Sequence, residues 1–284
     1  MSIQIVSDLH LEAPKAYDLV DIEPVAPILA LLGDIGNVKP HRNDLFDFLR
    51  RQLRQFDVVL FVPGNHEAYH ASWRETVTIL REMEDEFRQR RICGEYGLGE
   101  FVLLNRNTFR LPALPGRPDT VVLGCPLFSH IPAASEQAVS MGLNDFYQID
   151  EDELDATPWD VEAHNDAHAR DLAWLNKTVA ALEWSSPKSS LLILTHWSPS
   201  LDPRTTDPRH KHSLISSAFG TDLSREKCFQ SPNVKAWAFG HTHYNCDVQM
   251  ERAGGSPPIR LVTNQKGYYF QQAIGYDIDK AICG

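Results

Sequence analysis

Five short polar motifs carry side chains that could do chemistry together. They are Asp8-Leu9-His10, Gly33-Asp34, Gly64-Asn65-His66-Glu67, Thr195-His196 and Gly240-His241-Thr242-His243. Asp8 and His10 stand two residues apart, a spacing that in an extended segment puts both side chains on one face. His241 and His243 repeat that spacing. A carboxylate beside imidazoles suits a borderline divalent ion such as Mn²⁺, Fe²⁺, Co²⁺ or Zn²⁺. Asp34 has two oxygens and could bridge two such ions, Asn65 offers a neutral amide oxygen, and His196 adds a nitrogen. Singly, each motif is common, and a histidine at a strand end is more often a hydrogen-bonded surface residue than a ligand. The weight lies in their order and placement.

Each motif follows an apolar run of β type. Ile3–Ser7 leads to Asp8, and Ile28–Leu32 leads to Gly33-Asp34. Val58–Val62 leads to Gly64-Asn65, Leu191–Leu194 to Thr195-His196, and Val234–Phe239 to Gly240-His241. Continuous apolar runs of this length predict strands buried on both faces. Helical spacing appears over Asp44–Phe56, over Ser72–Arg91 and over Val161–Glu183, where Leu172, Leu175, Val179 and Leu182 are expected to face inward. Alternating strands and helices predict a parallel or mixed sheet with crossover helices. Phe101–Leu104, Thr108–Leu111, Thr120–Cys125, Val248–Met250 and Ile259–Thr263 are further strands, with a turn at Gly254–Pro258. Pro126–Pro158 reads as mostly irregular, and 197–233 as a long loop or lid. Ligands of open α/β sheets bind beyond the carboxyl ends of the strands, which is where all five motifs fall.

The 284 residues are 43% hydrophobic, enough for a sizeable core, and the formal net charge is −11. That charge argues against a general surface for long nucleic acid. A small phosphorylated substrate stays open, because bound cations reverse the local field. Cutting the chain in two would divide motifs that run from residue 8 to residue 243, so the expectation is a single domain over 1–284. The five cysteines form no Cys-x-x-Cys pair, which predicts neither a disulfide framework nor a structural zinc site. No signal peptide or membrane-spanning run is evident, and the expected location is cytoplasmic.

In this order the motifs resemble those of the calcineurin-like metallophosphoesterase superfamily: Asp-x-His, Gly-Asp, Gly-Asn-His-Asp/Glu, His and Gly-His-x-His. The resemblance implies an α/β fold of four layers, with two mixed β-sheets face to face and helices outside. It implies two metal ions, the first held by Asp8, His10, Asp34 and His243, the second by Asp34, Asn65, His196 and His241. Two ions about 3.5–4 Å apart can clamp a phosphate and activate a water for in-line attack. His66 would then be the catalytic residue that protonates or stabilises the leaving oxygen. Glu67 could orient His66 or be a surface residue at a helix start.

Departures narrow the subclass. Gly33-Asp34-Ile35-Gly36-Asn37 lacks the Asp-Arg pair that protein phosphatases carry after Gly-Asp. Asn37 also stands where purple acid phosphatases have a tyrosine ligand. The motif set is then most similar to the cyclic-nucleotide phosphodiesterase branch. The expected activity is hydrolysis of a 2′,3′- or 3′,5′-cyclic nucleotide. A broad phosphomonoesterase, a nuclease-like enzyme and a non-catalytic scaffold are the alternatives.

Weaker signals surround this set. Asn37, His41 and Tyr69 are candidate substrate contacts by their closeness to the motifs, and His70 and His130 are candidates for the rim. His210 and His212 lie in the long loop with Arg204, Arg209 and Lys211, a locally basic patch that could serve as a lid. His164 and His168 have the i,i+4 spacing of a zinc helix. Asn165 replaces the glutamate such a site needs, so a solvated helix face is expected. A metal-free mechanism using two His-x-Thr/Ser motifs is set aside, because only His196-Trp197-Ser198 fits that pattern.

Overall fold

The computed structural model describes residues 2–112, 118–152, 154, 156–210 and 213–283. The chain opens with three parallel strands, β1 (Ser2–Val6), β2 (Ile28–Leu32) and β3 (Val58–Val62), with helix α1 (Arg42–Leu53) crossing between the last two. Every residue of β2 and β3 is buried, which is why these runs are continuously apolar rather than alternating. Helix α2 (Trp73–Ile92) starts where the Ser72 side chain accepts the Glu75 N–H at 3.1 Å. It returns the chain to β4 (Glu100–Leu103), parallel to β3.

The second sheet begins with the antiparallel pair β5 (Asn107–Arg110) and β6 (Thr120–Gly124). Two short helices, α3 (Glu136–Gly142) and α4 (Asp145–Gln148), break the stretch expected to be irregular. Helix α5 (Val161–Ser185) is capped by Asp160 and leads to β7 (Ser190–Leu194). The 197–233 stretch contains α6 (Lys227–Gln230) and ends at β8 (Val234–Phe239). Next come β9 (Asp247–Met250) and β10 (Ile259–Thr263), then an isolated hairpin of β11 (Gly267–Tyr268) and β12 (Gln271–Gln272), and finally β13 (Ala281–Cys283). The strand orders are β13-β1-β2-β3-β4 and β5-β6-β7-β8-β10-β9. Both sheets are mixed, since β13, β5 and β9 run antiparallel to their neighbours.

Period-2 alternation within each strand builds the layers. Ile3, Ile5, Ala30, Leu60 and Val62 of the first sheet meet Val122, Leu192, Leu194, Ala236 and Val262 of the second. The opposite face of the first sheet packs on Leu45, Phe48, Leu49, Leu80, Met83 and Phe87 of α1 and α2. The opposite face of the second sheet packs on Leu175 and Val179 of α5. The result is the expected four-layer α/β/β/α sandwich.

Three expectations need correction. His164 and His168 are buried, not solvated: α5 turns them inward, where His164 Nε2 meets Ser129 Oγ at 3.1 Å and His168 Nδ1 donates to the Phe128 carbonyl. The inward face of α5 thus runs Val161, His164, His168, Asp171, Leu175 and Val179, leaving Leu172 and Leu182 half-buried at its margin. Glu67 is fully buried rather than on the surface. Among the described residues, no helix is long and apolar enough to cross a membrane.

Candidate metal centre

The candidate ligands gather where parallel strands of both sheets end side by side. Asp8 and His10 follow β1, Asp34 follows β2 and Asn65 follows β3, all in the first sheet. His196 follows β7, and His241 and His243 follow β8, in the second. The aiming device differs from simple strand alternation. Asp8, His10, Asp34, His241 and His243 all have left-handed φ, between 47° and 68°. Such a conformation costs a non-glycine residue on the order of 1–3 kcal/mol and persists only where surrounding contacts enforce it. Here those contacts include the Asp8 N–H on the Gly33 carbonyl and the His10 N–H on the Asp34 carbonyl, both at 3.0 Å.

Two donor sets result. In one, His243 Nε2 lies 3.0 Å from His10 Nε2 and 3.3 Å from Asp8 Oδ1. In the other, His196 Nε2 lies 3.3 Å from Asp34 Oδ1 and 3.2 Å from Asn65 Oδ1, with His241 beside them. The glycines of the motifs let these atoms approach. A Cβ on Gly33 would stand 2.3 Å from His196 Nδ1, and one on Gly64 would stand 2.4 Å from Asp34 Oδ1.

Further residues fix the ligands. Glu67 accepts four backbone N–H groups, those of Gly64, Asp34, Ile35 and Gly36, at 2.6, 2.9, 2.7 and 3.3 Å. It therefore ties the β2 and β3 loops together instead of orienting His66. Asn65 Nδ2 donates to Asp145 Oδ1 (2.8 Å) and to the Tyr69 hydroxyl (3.2 Å), which turns the amide oxygen toward His196. Gln265 Oε1 accepts the His243 N–H at 2.6 Å. Glu12 Oε1 reaches His66 Nδ1 at 2.7 Å and His10 Nδ1 at 3.3 Å.

Electrostatics favour the ligand forms of Asp8, Asp34, His10 and His241, and the protonated form of His196. Burial pushes the Asp8 carboxyl up, but the His243 imidazole outweighs it and holds Asp8 ionised. Burial likewise opposes the Asp34 charge, and His196 and His66 together hold that carboxyl well below its usual range. Burial keeps His10 and His241 neutral. His196 and His66 go the other way: against burial, the Asp34 carboxylate lifts each to about 9, with Glu12 assisting at His66. Against its own burial, Glu12 is drawn down to about 2 by His10 and His66.

These residues fit divalent cations on three observations. His10 Nδ1 is committed to Glu12 and His196 Nδ1 to the Leu32 carbonyl (2.8 Å), so the Nε2 atom of each points into the donor sets. A carboxylate or carbonyl behind an imidazole is the usual support of a metal-ligating histidine. Buried His241 Nε2 has no hydrogen-bond partner. Asp8, His10 and His243 have ligand atoms within 4.8 Å of one another, as do Asp34, His196 and His241.

The other predicted residues sit less simply. His66 Nε2 opens toward the site, 3.9 Å from Asp34 Oδ2. Asn37 and Tyr69 are buried and turned inward: Asn37 Nδ2 donates to the His66 carbonyl at 2.7 Å, and Tyr69 packs on His66 with ring centroids 4.2 Å apart. His41 Nδ1 meets the Tyr17 hydroxyl at 3.2 Å. His70 and His130 are exposed. His210 is exposed in a short turn, and Lys211 and His212 lie outside the described residues. Two of the loop's arginines are paired close to home, Arg209 with Asp207 at 2.6 Å and Arg204 with Asp202 at 2.9 Å. What the loop brings to the site is apolar: Phe219 stacks on His241 with centroids 5.0 Å apart, and Trp197 lies 4.7 Å away.

Sequence reasoning missed Glu12, Asp145, Gln265 and Tyr268. Glu12 had a signal, standing two residues past His10 as His10 does past Asp8. Tyr268 begins an aromatic run, Tyr268-Tyr269-Phe270, directly after Gly267. Asp145 had none, being 80 residues from the asparagine it holds.

Comparison with known proteins gives the family. Residues 1–245 match the calcineurin-like phosphoesterase family. The chain belongs to that family and is a metal-dependent phosphoric ester hydrolase. It is similar to an uncharacterized protein of Acanthamoeba polyphaga mimivirus, 29% identical over 94% of this chain and 91% of the relative. Its fold is similar to that of the phosphopantetheinyl hydrolase of Mycobacterium tuberculosis, with a TM-score of 0.60 at 18% identity over 94% of this chain and 89% of the other.

Proposed function

We propose that the chain is a two-metal phosphodiesterase acting on a small nucleotide-type diester, a 2′,3′- or 3′,5′-cyclic nucleotide. The observation that carries this reading is the convergence of the two donor sets beside His66. Asp8, His10 and His243 would hold one divalent ion, and Asn65, His196 and His241 the other, with Asp34 between them. Two such ions supply a clamp for the phosphate and a nucleophilic water near neutral pH.

The chain's own groups complete the reaction. His66 carries a proton on Nε2 and donates it to the leaving oxygen, because Glu12 holds the Nδ1–H at 2.7 Å and favours the imidazolium. Asn37 fixes the backbone of His66, while Tyr69 and Asp145 fix Asn65. The net charge of −11 and the local pairing of Arg204 and Arg209 in the 197–233 loop support a small substrate over a long nucleic acid. Residues 1–284 act as one catalytic unit on this reading, since ligands come from both sheets. Free thiols at Cys93, Cys125, Cys228 and Cys246 support a cytoplasmic setting.

Metal analysis of purified Asp34→Ala and His196→Ala, read with diester hydrolysis, tests the centre. Each variant is expected to lose bound metal and nearly all activity, and retention of both would overturn the assignment. Substrate class is read from a panel of cyclic nucleotides, bis-nitrophenyl phosphate, a phosphomonoester, single-stranded oligonucleotides and a phosphopantetheinyl compound. The last is included because the solved structure similar in fold is a phosphopantetheinyl hydrolase. Faster turnover of the monoester or the oligonucleotide than of every small diester would replace the proposal.

A further inference from the structure

Residues beyond 245 lie outside the family match, and the hairpin they form reaches the site. Strands β11 and β12 pair Gly267 with Gln272 and Tyr268 with Gln271, and Tyr269 and Phe270 make the turn. The base is pinned to the end of β1: the Lys266 N–H donates to the Ser7 carbonyl at 3.1 Å, and the Gly267 N–H to the Asp8 carbonyl at 3.0 Å. Gly267 has φ 78°, so the reversal there favours glycine.

From this base Tyr268 crosses the first donor set. Its ring stacks on His10 with centroids 4.2 Å apart and meets His243 edge-on at 4.8 Å. Its hydroxyl lies 3.2 Å from His66 Nε2. Tyr268 itself is 39% exposed, and the two turn residues stand in water, Tyr269 at 61% and Phe270 at 89% exposed. A two-stranded hairpin is at best marginally stable alone. Three consecutive aromatics on one, the first of them seated over the donor set, are better placed to meet a ligand than to hold the fold.

The position of the hydroxyl fixes the geometry. A leaving oxygen must come within hydrogen-bond reach of His66 Nε2 to receive its proton. The Tyr268 hydroxyl is the hydrogen-bond partner of that nitrogen, so a leaving oxygen that takes its place arrives beside Tyr268 with its first carbons next to the ring. We infer, resting on the phosphodiesterase reading above, that Tyr268 is a specificity-determining residue. Its ring is the wall on which a planar aromatic group attached to phosphate stacks. The enzyme thereby prefers aryl and nucleoside esters to small aliphatic ones.

Calorimetric titration of the full-length, Mn²⁺-loaded protein with inorganic phosphate and with phenyl phosphate tests this. In Tyr268→Ala, affinity for phenyl phosphate is expected to fall about tenfold, the loss of one stacking partner, while affinity for phosphate stays within about twofold. Tyr268→Phe keeps the ring and should keep phenyl phosphate binding. Tyr268→Leu retains apolar bulk over His10 and should show the same selective loss as alanine, which separates lost stacking from a collapsed hairpin. An equal loss for both ligands, or no loss for either, overturns the inference. The readout is independent of turnover. Selective loss in a protein that hydrolyses no diester would sink the phosphodiesterase reading alone, and unchanged binding in an active diesterase would sink this one alone.

Discussion

Glu12 decides what His66 can do. Its carboxylate holds one imidazole proton at Nδ1 and favours a second at Nε2, the atom proposed to serve the leaving oxygen. Glu12→Gln keeps an acceptor but removes the charge. The variant is expected to lose about tenfold in kcat on diesters with poor leaving groups, to change little on nitrophenyl esters, and to move the alkaline limb of the rate profile to lower pH. Steady-state kinetics against pH check this, and equal losses on both substrate types would argue that Glu12 acts through His10 instead. Gly64→Ala is the complementary steric test. Its methyl group would meet Asp34 Oδ1 at 2.4 Å and His196 Nε2 at 2.7 Å. Overpacking of this kind costs about 1–3 kcal/mol, and metal analysis should show bound ion lost with it. Unchanged metal content would mean that the Asp34 loop moves freely. At this scale residue type and spacing made the donor set legible. Its supports were legible only where they lie close in sequence, as Glu12 does and Asp145 does not.

Among the elements, α5 shows where pattern reading stops. Its start at Asp160 and its length follow from a cap and an apolar period. Its buried face does not, because three of the inward residues are polar and meet partners distant in sequence: His164 Nε2 meets Ser129, His168 Phe128 and Asp171 Arg106. That burial has a consequence in pH. Burial depresses the His164 imidazole to about 3, against about 6.5 in an unfolded chain. Above pH 6.5 neither state carries the proton. Between 6.5 and about 3 the unfolded chain takes it up and the folded chain refuses it, so stability falls as the pH falls, by up to about 1.4 kcal/mol per unit. His164→Gln should flatten that part of the curve. Urea midpoints at pH 7.5, 6 and 5 measure the difference, and parallel curves for variant and parent would rule the residue out. The left-handed turns after β1, β2 and β8 were equally illegible, since nothing in Asp-Leu-His or His-Thr-His marks a positive φ. Strands as short as β11, β12 and β13 carry no period to read.

On the scale of the whole molecule, the site lies on the seam between two sheets, and a ligand that spans the seam must stabilise both. Divalent ions that bind only the folded chain raise its stability by RT ln(1 + [L]/Kd), about 2.7 kcal/mol at a hundredfold excess over Kd. Thermal melting in chelator and in graded Mn²⁺ should therefore give a midpoint that climbs with ion concentration. A midpoint indifferent to both would remove the metal centre from the native state. The layered sandwich was legible through the motif resemblance more than through patterning. Alternating strands and helices foretold parallel sheets, but nothing local says that β10 inserts between β8 and β9, or that β13 closes beside β1.

That last pairing ties the two sides of the site to one sheet edge. β13 (Ala281–Cys283) lies against β1 (Ser2–Val6), so the final strand completes the edge of the sheet that the first one began. Gln265, which holds His243, and the hairpin over His10 lie between them in the chain. A chain cut after residue 245 would keep all five motifs yet lose Gln265 behind His243 and the ring over His10, so the ligand types are written in one part of the sequence and two of their supports in another.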